Sequence, residues 1–290
     1  IRLDEDLYLL DHTLGGSVSQ TNSSLLPLPV MPLTLSMELL AEAAALLVPD
    51  KQVTGMKNIR AYTWIAPEER SLELRIEARQ CADVPHEVTV RISVPEDAKA
   101  GGNTPAVEGT VVFADSYPAA PPLSVFALRN ERASAWSFGQ LYTRAMFHGP
   151  CWQGVRSVDR WGEDGSAATL EVLPVEGFFH SLSDPRFITD PVVLDAAGQL
   201  VGFWTMEHLK DGFLVFPYRV KALQIYGPQP ALRAQVKCQA RIRLIGSTQV
   251  LSDIDMIGPY GRLWMRLEGW EDKRFDLPET MYRFLLSPRE

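Results

Sequence analysis

The sequence predicts an α+β chain in which one arrangement, a buried helix followed by a run of antiparallel strands, occurs twice. Three observations lead there. Two long apolar segments of helix-forming residues, 33–48 and 191–207, are bounded by proline or a capping acid. Each precedes four strand-like runs, the clearest of which alternate with period two. A stretch with three prolines, 116–124, separates the two sets.

The elements follow in order. Residues 33–48 (LTLSMELLAEAAALLV) hold no glycine or proline, with Pro32 before and Pro49 after. The segment is apolar on most faces and should be buried nearly all round. Strands are expected at 57–65, 71–79, 86–94 and 106–114. Alternation in Leu72-Glu73-Leu74-Arg75-Ile76 and Val88-Thr89-Val90-Arg91-Ile92 gives the sheet one wet face. Pro118, Pro121 and Pro122 make 116–124 a semi-rigid connection. Asp190 then supplies an N-cap, Pro191 the first helical position, and the second helix runs to about Glu207. Strands are expected at 213–226, 231–245, 249–257 and 263–270. The repeat is one of pattern, not of sequence identity.

Composition narrows the function. The 290 residues are 46% hydrophobic and 22% charged, as in ordinary globular chains. Asp plus Glu is 36 and Lys plus Arg 28, a net charge of −8, which argues against nucleic-acid binding as the main task. No apolar run reaches the roughly 18 residues of a membrane span; 33–48 carries Glu38 and Glu42. Three widely spaced cysteines, Cys81, Cys151 and Cys238, form no zinc-ligand spacing, so no metal site is expected and a reduced, cytoplasmic setting is. The chain opens on Ile1-Arg2-Leu3, which reads as part of something longer.

Three segments carry candidate chemistry. In Asp11-His12-Thr13-Leu14-Gly15-Gly16, a histidine stands between an apolar run and a glycine pair. Histidine titrates near neutrality, and glycine permits close approach of a ligand to backbone. Asp195 and Gln199 lie four residues apart on the second helix and share a face. Apolar neighbours would raise the Asp195 pKa toward that of a general acid, and the Gln199 amide would steady it. Third, 142–155 (YTRAMFHGPCWQGV) holds a tight turn at His148-Gly149-Pro150 between aromatic residues. It reads as a hydrophobic corner, or as a substrate wall with His148 or Tyr142 facing the ligand. Gly101-Gly102 lacks the strand and helix context of a nucleotide fingerprint.

Taken in order, His12…Gly16, Gly149-Pro150-Cys151-Trp152 and Asp195…Gln199 resemble the motifs of type I polyketide synthase dehydratase domains. PVMPLTLSMELLAEAA and MFHGPCWQGV resemble those of iterative, enediyne and polyunsaturated-fatty-acid synthases in particular. The chain departs from the pattern in an apparent insertion at 17–28, and in His148 where modular enzymes often have Tyr.

The resemblance implies a double hot dog: an N-terminal hot dog at 1–117, a linker at 118–135 and a C-terminal hot dog at 136–290. It implies dehydration of a 3-hydroxyacyl thioester to a 2-enoyl thioester. His12 would be the base and Asp195 the acid, supported by Gln199, His148, Tyr142 and Gly16. Met146, Phe147, Pro150, Trp152 and Val155 would line the acyl tunnel. No cofactor is implied beyond the phosphopantetheine arm of a carrier protein. The implied partners are an acyl carrier protein domain, for which Arg129, Arg132, Arg144 and Arg156 are candidate contacts, and neighbouring synthase domains. A homodimer through the parent synthase is compatible; nucleic acid and membrane are not implied. An aldol-cyclisation template, an isomerase, a thioesterase or a non-catalytic scaffold on the same fold stays open.

Overall fold

The computed structural model describes residues 1–15, 27–67, 70–95, 104–209 and 214–275. Gly16, Gly101-Gly102 and most of the apparent insertion lie outside them. The first central helix spans Leu33–Ala45, and nine of its thirteen residues, polar ones included, are buried. It stops short of residue 48, and Leu46 and Leu47 beyond its end are exposed. The second spans Pro191–Leu209. Asp190 caps it as the sequence predicts, accepting the Val193 N–H at 3.0 Å. An acid of the first helix secures this start. Glu38 accepts the Ile188 and Thr189 N–H groups and the Thr189 hydroxyl. Burial, opposed by these bonds, pushes the Glu38 carboxyl up to about 7.

Two short strands, β1 (Thr13–Leu14) and β2 (Leu28–Pro29), pair near the N-terminus. The other described strands form one antiparallel sheet. In chain order they are β3 (Gln52–Ala61), β4 (Arg75–Cys81), β5 (Val84–Ser93), β6 (Val107–Ala114), β7 (Val155–Gly162), β8 (Gly165–Glu171), β9 (Leu214–Ile225), β10 (Gln235–Ile245), β11 (Gln249–Ile257) and β12 (Leu263–Phe275). Their order is β4-β5-β6-β3-β9-β12-β11-β10-β8-β7. Four strands from the first half cover the first helix, and six from the second half cover the second: a double hot dog. The halves join through β3 and β9, where Gly55 pairs with Gln224 and Arg60 with Arg219.

Strands β7 and β8 are not among the strands expected from the sequence. Bulges between Val155 and Ser157 and between Val158 and Arg160 break the alternation of β7. Strand β8 is small-residue and buried along six of its seven positions, so it has no wet face to reveal it. Strand β3 begins at Gln52 rather than 57, and its irregularity at Lys57–Arg60 includes Asn58 at a φ of 54°. The 118–135 segment folds back on β7: Arg132 bridges Trp161, and the Arg129 N–H donates to Asp164. Among the described residues, no helix is long and apolar enough to cross a membrane.

Candidate active site

His12 follows a tight helical turn, Leu7–Leu9, and its N–H bonds Leu9 O at 3.1 Å. Pairing of β1 with β2 brings Val30 alongside. The Val30 N–H donates to His12 O at 3.1 Å, and His12 Nδ1 lies 2.6 Å from Val30 O. A carbonyl oxygen only accepts, so Nδ1 carries the proton and Nε2 of the neutral ring keeps its lone pair. Phe147, His148 and Trp152 surround the ring edge-on, with centroids at 4.9, 5.0 and 5.7 Å. Burial drives the His12 pKa down to about 4, so the imidazole is neutral at pH 7.

Asp195 comes from the other half, one turn into the second helix. Gln199 Nε2 donates to Asp195 Oδ2 at 2.7 Å and to Trp152 O at 2.8 Å. Its Oε1 accepts the Tyr142 hydroxyl at 2.7 Å, which in turn accepts the Val155 N–H at 2.9 Å. Every polar atom of the Gln199 amide is committed, so its orientation is determined. Burial raises Asp195 to about 7, with the Gln199 amide opposing. His148 Nε2 lies 3.4 Å from Asp195 Oδ2, and the His148 ring stacks on Phe147 at 4.2 Å. Burial, then the neighbouring His12, holds His148 well below its usual pKa. One donor atom from each of His12, His148 and Asp195 falls within 4.8 Å of the others. Such a trio could hold an ion, although His12 Nδ1 is already committed to Val30.

These three side chains border one cavity between the halves. The second helix presents Asp195, Gly198, Gln199, Gly202 and Met206 to it, all on one helical face. Of the expected tunnel residues, Met146 and Phe147 line the cavity. Pro150, Trp152 and Val155 do not, which corrects that expectation. Pro150 is exposed. Trp152 is fully buried behind His12, its indole N–H donating to Tyr8 O at 3.0 Å. Val155 sits in the β7 core, giving its N–H to Tyr142. Tyr142 likewise supports Gln199 from behind. Asp11, not among the expected site residues, joins the two segments: its carboxyl accepts the Cys151 N–H at 2.9 Å and its backbone O accepts the Gly149 N–H at 2.7 Å. Its place beside His12 was the available signal. Three of the four candidate arginines are paired: Arg129 with Asp164, Arg132 with Glu207, and Arg156 with Glu171. Arg144 is exposed without a partner among the described residues.

Residues 119–279, more than half of the chain, match the family model described as polyketide synthase dehydratase N-terminal domain. The chain belongs to the polyketide synthase dehydratase family. Solved dehydratase structures share its fold over most of the chain. A trans-AT polyketide synthase dehydratase domain from Brevibacillus brevis superposes with a TM-score of 0.72 at 20% identity, covering 94% of this chain and 91% of that one. The dehydratase domain of PpsC from Mycobacterium tuberculosis, solved with C12:1-CoA, gives 0.67 at 18% identity, covering 93% and 90%. The dehydratase domain of the CurF module of curacin polyketide synthase gives 0.69 at 16%, covering 95% and 91%. At these identities the structural likeness speaks for the fold.

Proposed function

We propose that this domain removes water from a 3-hydroxyacyl thioester carried on the phosphopantetheine arm of an acyl carrier protein, giving the 2-enoyl thioester. One observation carries the reading. His12 and Asp195 come from different halves, meet at one cavity, and are shifted in opposite senses, His12 to about 4 and Asp195 to about 7. A base must be free of its proton and an acid must hold one, and the same burial favours both.

The chemistry follows from that pairing. His12 Nε2 takes the proton from C2, and the C–H electron pair becomes the C2–C3 double bond. The C3–O bond breaks as Asp195 passes its proton to the leaving hydroxyl, which departs as water. His12 is left protonated and Asp195 ionised, and exchange with solvent resets both. Gln199 holds the carboxyl, and His148 is a positioning residue against it. Met146 and Phe147 would flank the chain near the reacting carbons. The carrier would dock at the cavity mouth; Arg144 is the favoured contact of the four arginines because the others are neutralised locally.

The test is incubation with 3-hydroxyacyl pantetheine and carrier-protein thioesters, read by mass spectrometry. Loss of one water with retention of the thioester supports dehydration. Release of free thiol would point to a thioesterase, and a moved double bond or closed ring to an isomerase or cyclisation template. An inert protein would leave the scaffold reading.

A further inference from the structure

We infer that Trp270 and Asp272 form a polar subsite in the wall of the same cavity, one that receives a hydroxyl of the acyl chain other than the one eliminated. The inference rests on the dehydratase reading for its substrate class and on separate residues for its site.

Strand β12 would not ordinarily present these side chains inward. Leu263, Met265 and Leu267 face the core, and simple alternation would next turn 269, 271 and 273 inward. A bulge intervenes. Ser252 pairs with Trp270 and Ile254 with Leu267, so Glu268 and Gly269 together oppose Asp253. Gly269 adopts a φ of 59°, and its N–H is held by Asp253 Oδ1 at 2.8 Å. The extra residue reverses the phase of the strand. Trp270 and Asp272 thereby reach the cavity, at 1% and 2% exposure.

Both arrive unsatisfied. Trp270 Nε1 and Asp272 Oδ2 are buried without a hydrogen-bond partner among the described residues. The indole stands near enough to oppose the upward shift of the Asp272 carboxyl, which burial takes to about 8, without completing a bond to it. Across the ladder Asp272 faces Pro217, which has no N–H to offer. Leaving such groups unpaired is costly, and here the two stand side by side on a cavity wall where a ligand can reach them. Asp272 also lies outside the His12, His148 and Asp195 trio.

A hydroxyl answers both orphans at once. Its oxygen accepts the Trp270 indole N–H, and its proton goes to an Asp272 oxygen. The walls beside Asp272, which include Trp64, Leu214, Val215 and Phe216, are apolar. They suit an acyl chain rather than the amide-bearing pantetheine arm, which would need polar partners along its length.

The experiment uses pairs of 3-hydroxyacyl pantetheine thioesters of matched length, one of each pair carrying a second hydroxyl at successive carbons beyond the third. Their saturated analogues without the 3-hydroxyl serve as binding probes in calorimetry. We expect one position of the extra hydroxyl to be favoured about 10–100-fold in the wild type, in binding and in kcat/KM. In Asp272→Leu that preference should vanish or invert, the unsubstituted chain should be turned over at least as well, and thermal stability should hold or rise. Asp272→Ala, which removes the acceptor and adds no bulk, supplies the same comparison should the leucine variant not fold. A preference that persists in both variants, or no preference at any position in the wild type, overturns the inference. So does a preference that disappears when the arm is shortened to N-acetylcysteamine, which would assign the pair to pantetheine. Hydroxyl-dependent binding without water loss would sink the dehydratase reading and leave the subsite standing.

Discussion

Asp11 and Gly149 meet across the two halves so closely that a Cβ on residue 149 would lie 2.4 Å from Asp11 Oδ1. Only glycine allows the backbone of the His148–Trp152 turn to reach the His12 segment. The contact brings His12 within range of His148 and, through the turn, of Asp195. Gly149→Ala should therefore cost about 1–3 kcal/mol of stability by overpacking, with a larger fall in turnover. Asp11→Ala removes the acceptor of the Cys151 N–H and should cost a similar amount. Because the alanine at 11 also removes the two closest clashing atoms, the double variant should be less damaged than the sum. Strict additivity in chemical denaturation would show that the two residues act separately.

His12→Ala and Asp195→Asn should each lower kcat for dehydration by about 10²–10⁴-fold, the usual cost of a lost acid or base. Neither removes a large apolar side chain, so cooperative unfolding should survive. Near-normal turnover in either variant would refute the assignment.

The pH profile has a definite sense. His12 works neutral, so the rate should climb as pH rises through about 4; Asp195 works protonated, so it should fall as pH passes about 7. The Gln199 amide favours the ionised Asp195 and so lowers its pKa. Gln199→Ala should move the alkaline limb to higher pH. It should also cost about 1–3 kcal/mol of stability, because Trp152 O and the Tyr142 hydroxyl lose their partner. An unmoved alkaline limb would detach Gln199 from the acid.

Two cavity-facing glycines on the second helix should respond differently to alanine. At Gly198 a Cβ would lie 2.6 Å from the Trp270 ring; at Gly202 it would meet the Met146 methyl at 2.5 Å. The ring is rigid and fully buried, whereas the methionine end can swing. Gly198→Ala should cost about 1–3 kcal/mol. Gly202→Ala should fold normally but push Met146 into the cavity, raising KM for long acyl thioesters more than for short ones. Equal effects on both chain lengths would place Met146 away from the chain.

Much of this protein is written in local spacing. Helix formers between prolines mark both central helices, and Asp190-Pro191 marks the start of the second. The four-residue step from Asp195 to Gln199 is a property of the helix itself and needs no neighbour. Period-two alternation makes β5, at Val88–Ile92, and β10, within 233–244, readable from the sequence, because each strand has one wetter face.

Tertiary structure decided what depends on distant chain. The β3–β9 joint, the passage of Asp11 to Gly149, and the burial that separates the His12 and Asp195 pKa values all arise from contacts between the halves. Trp152 and Met146 lie six residues apart and look equally suited to a tunnel wall, yet packing against Tyr8 takes one behind His12 and leaves the other facing the cavity. Asp272 is the clearest case. Its side depends on a bulge set by Asp253 in the neighbouring strand, and one inserted residue exchanges the two faces of a strand without altering its composition.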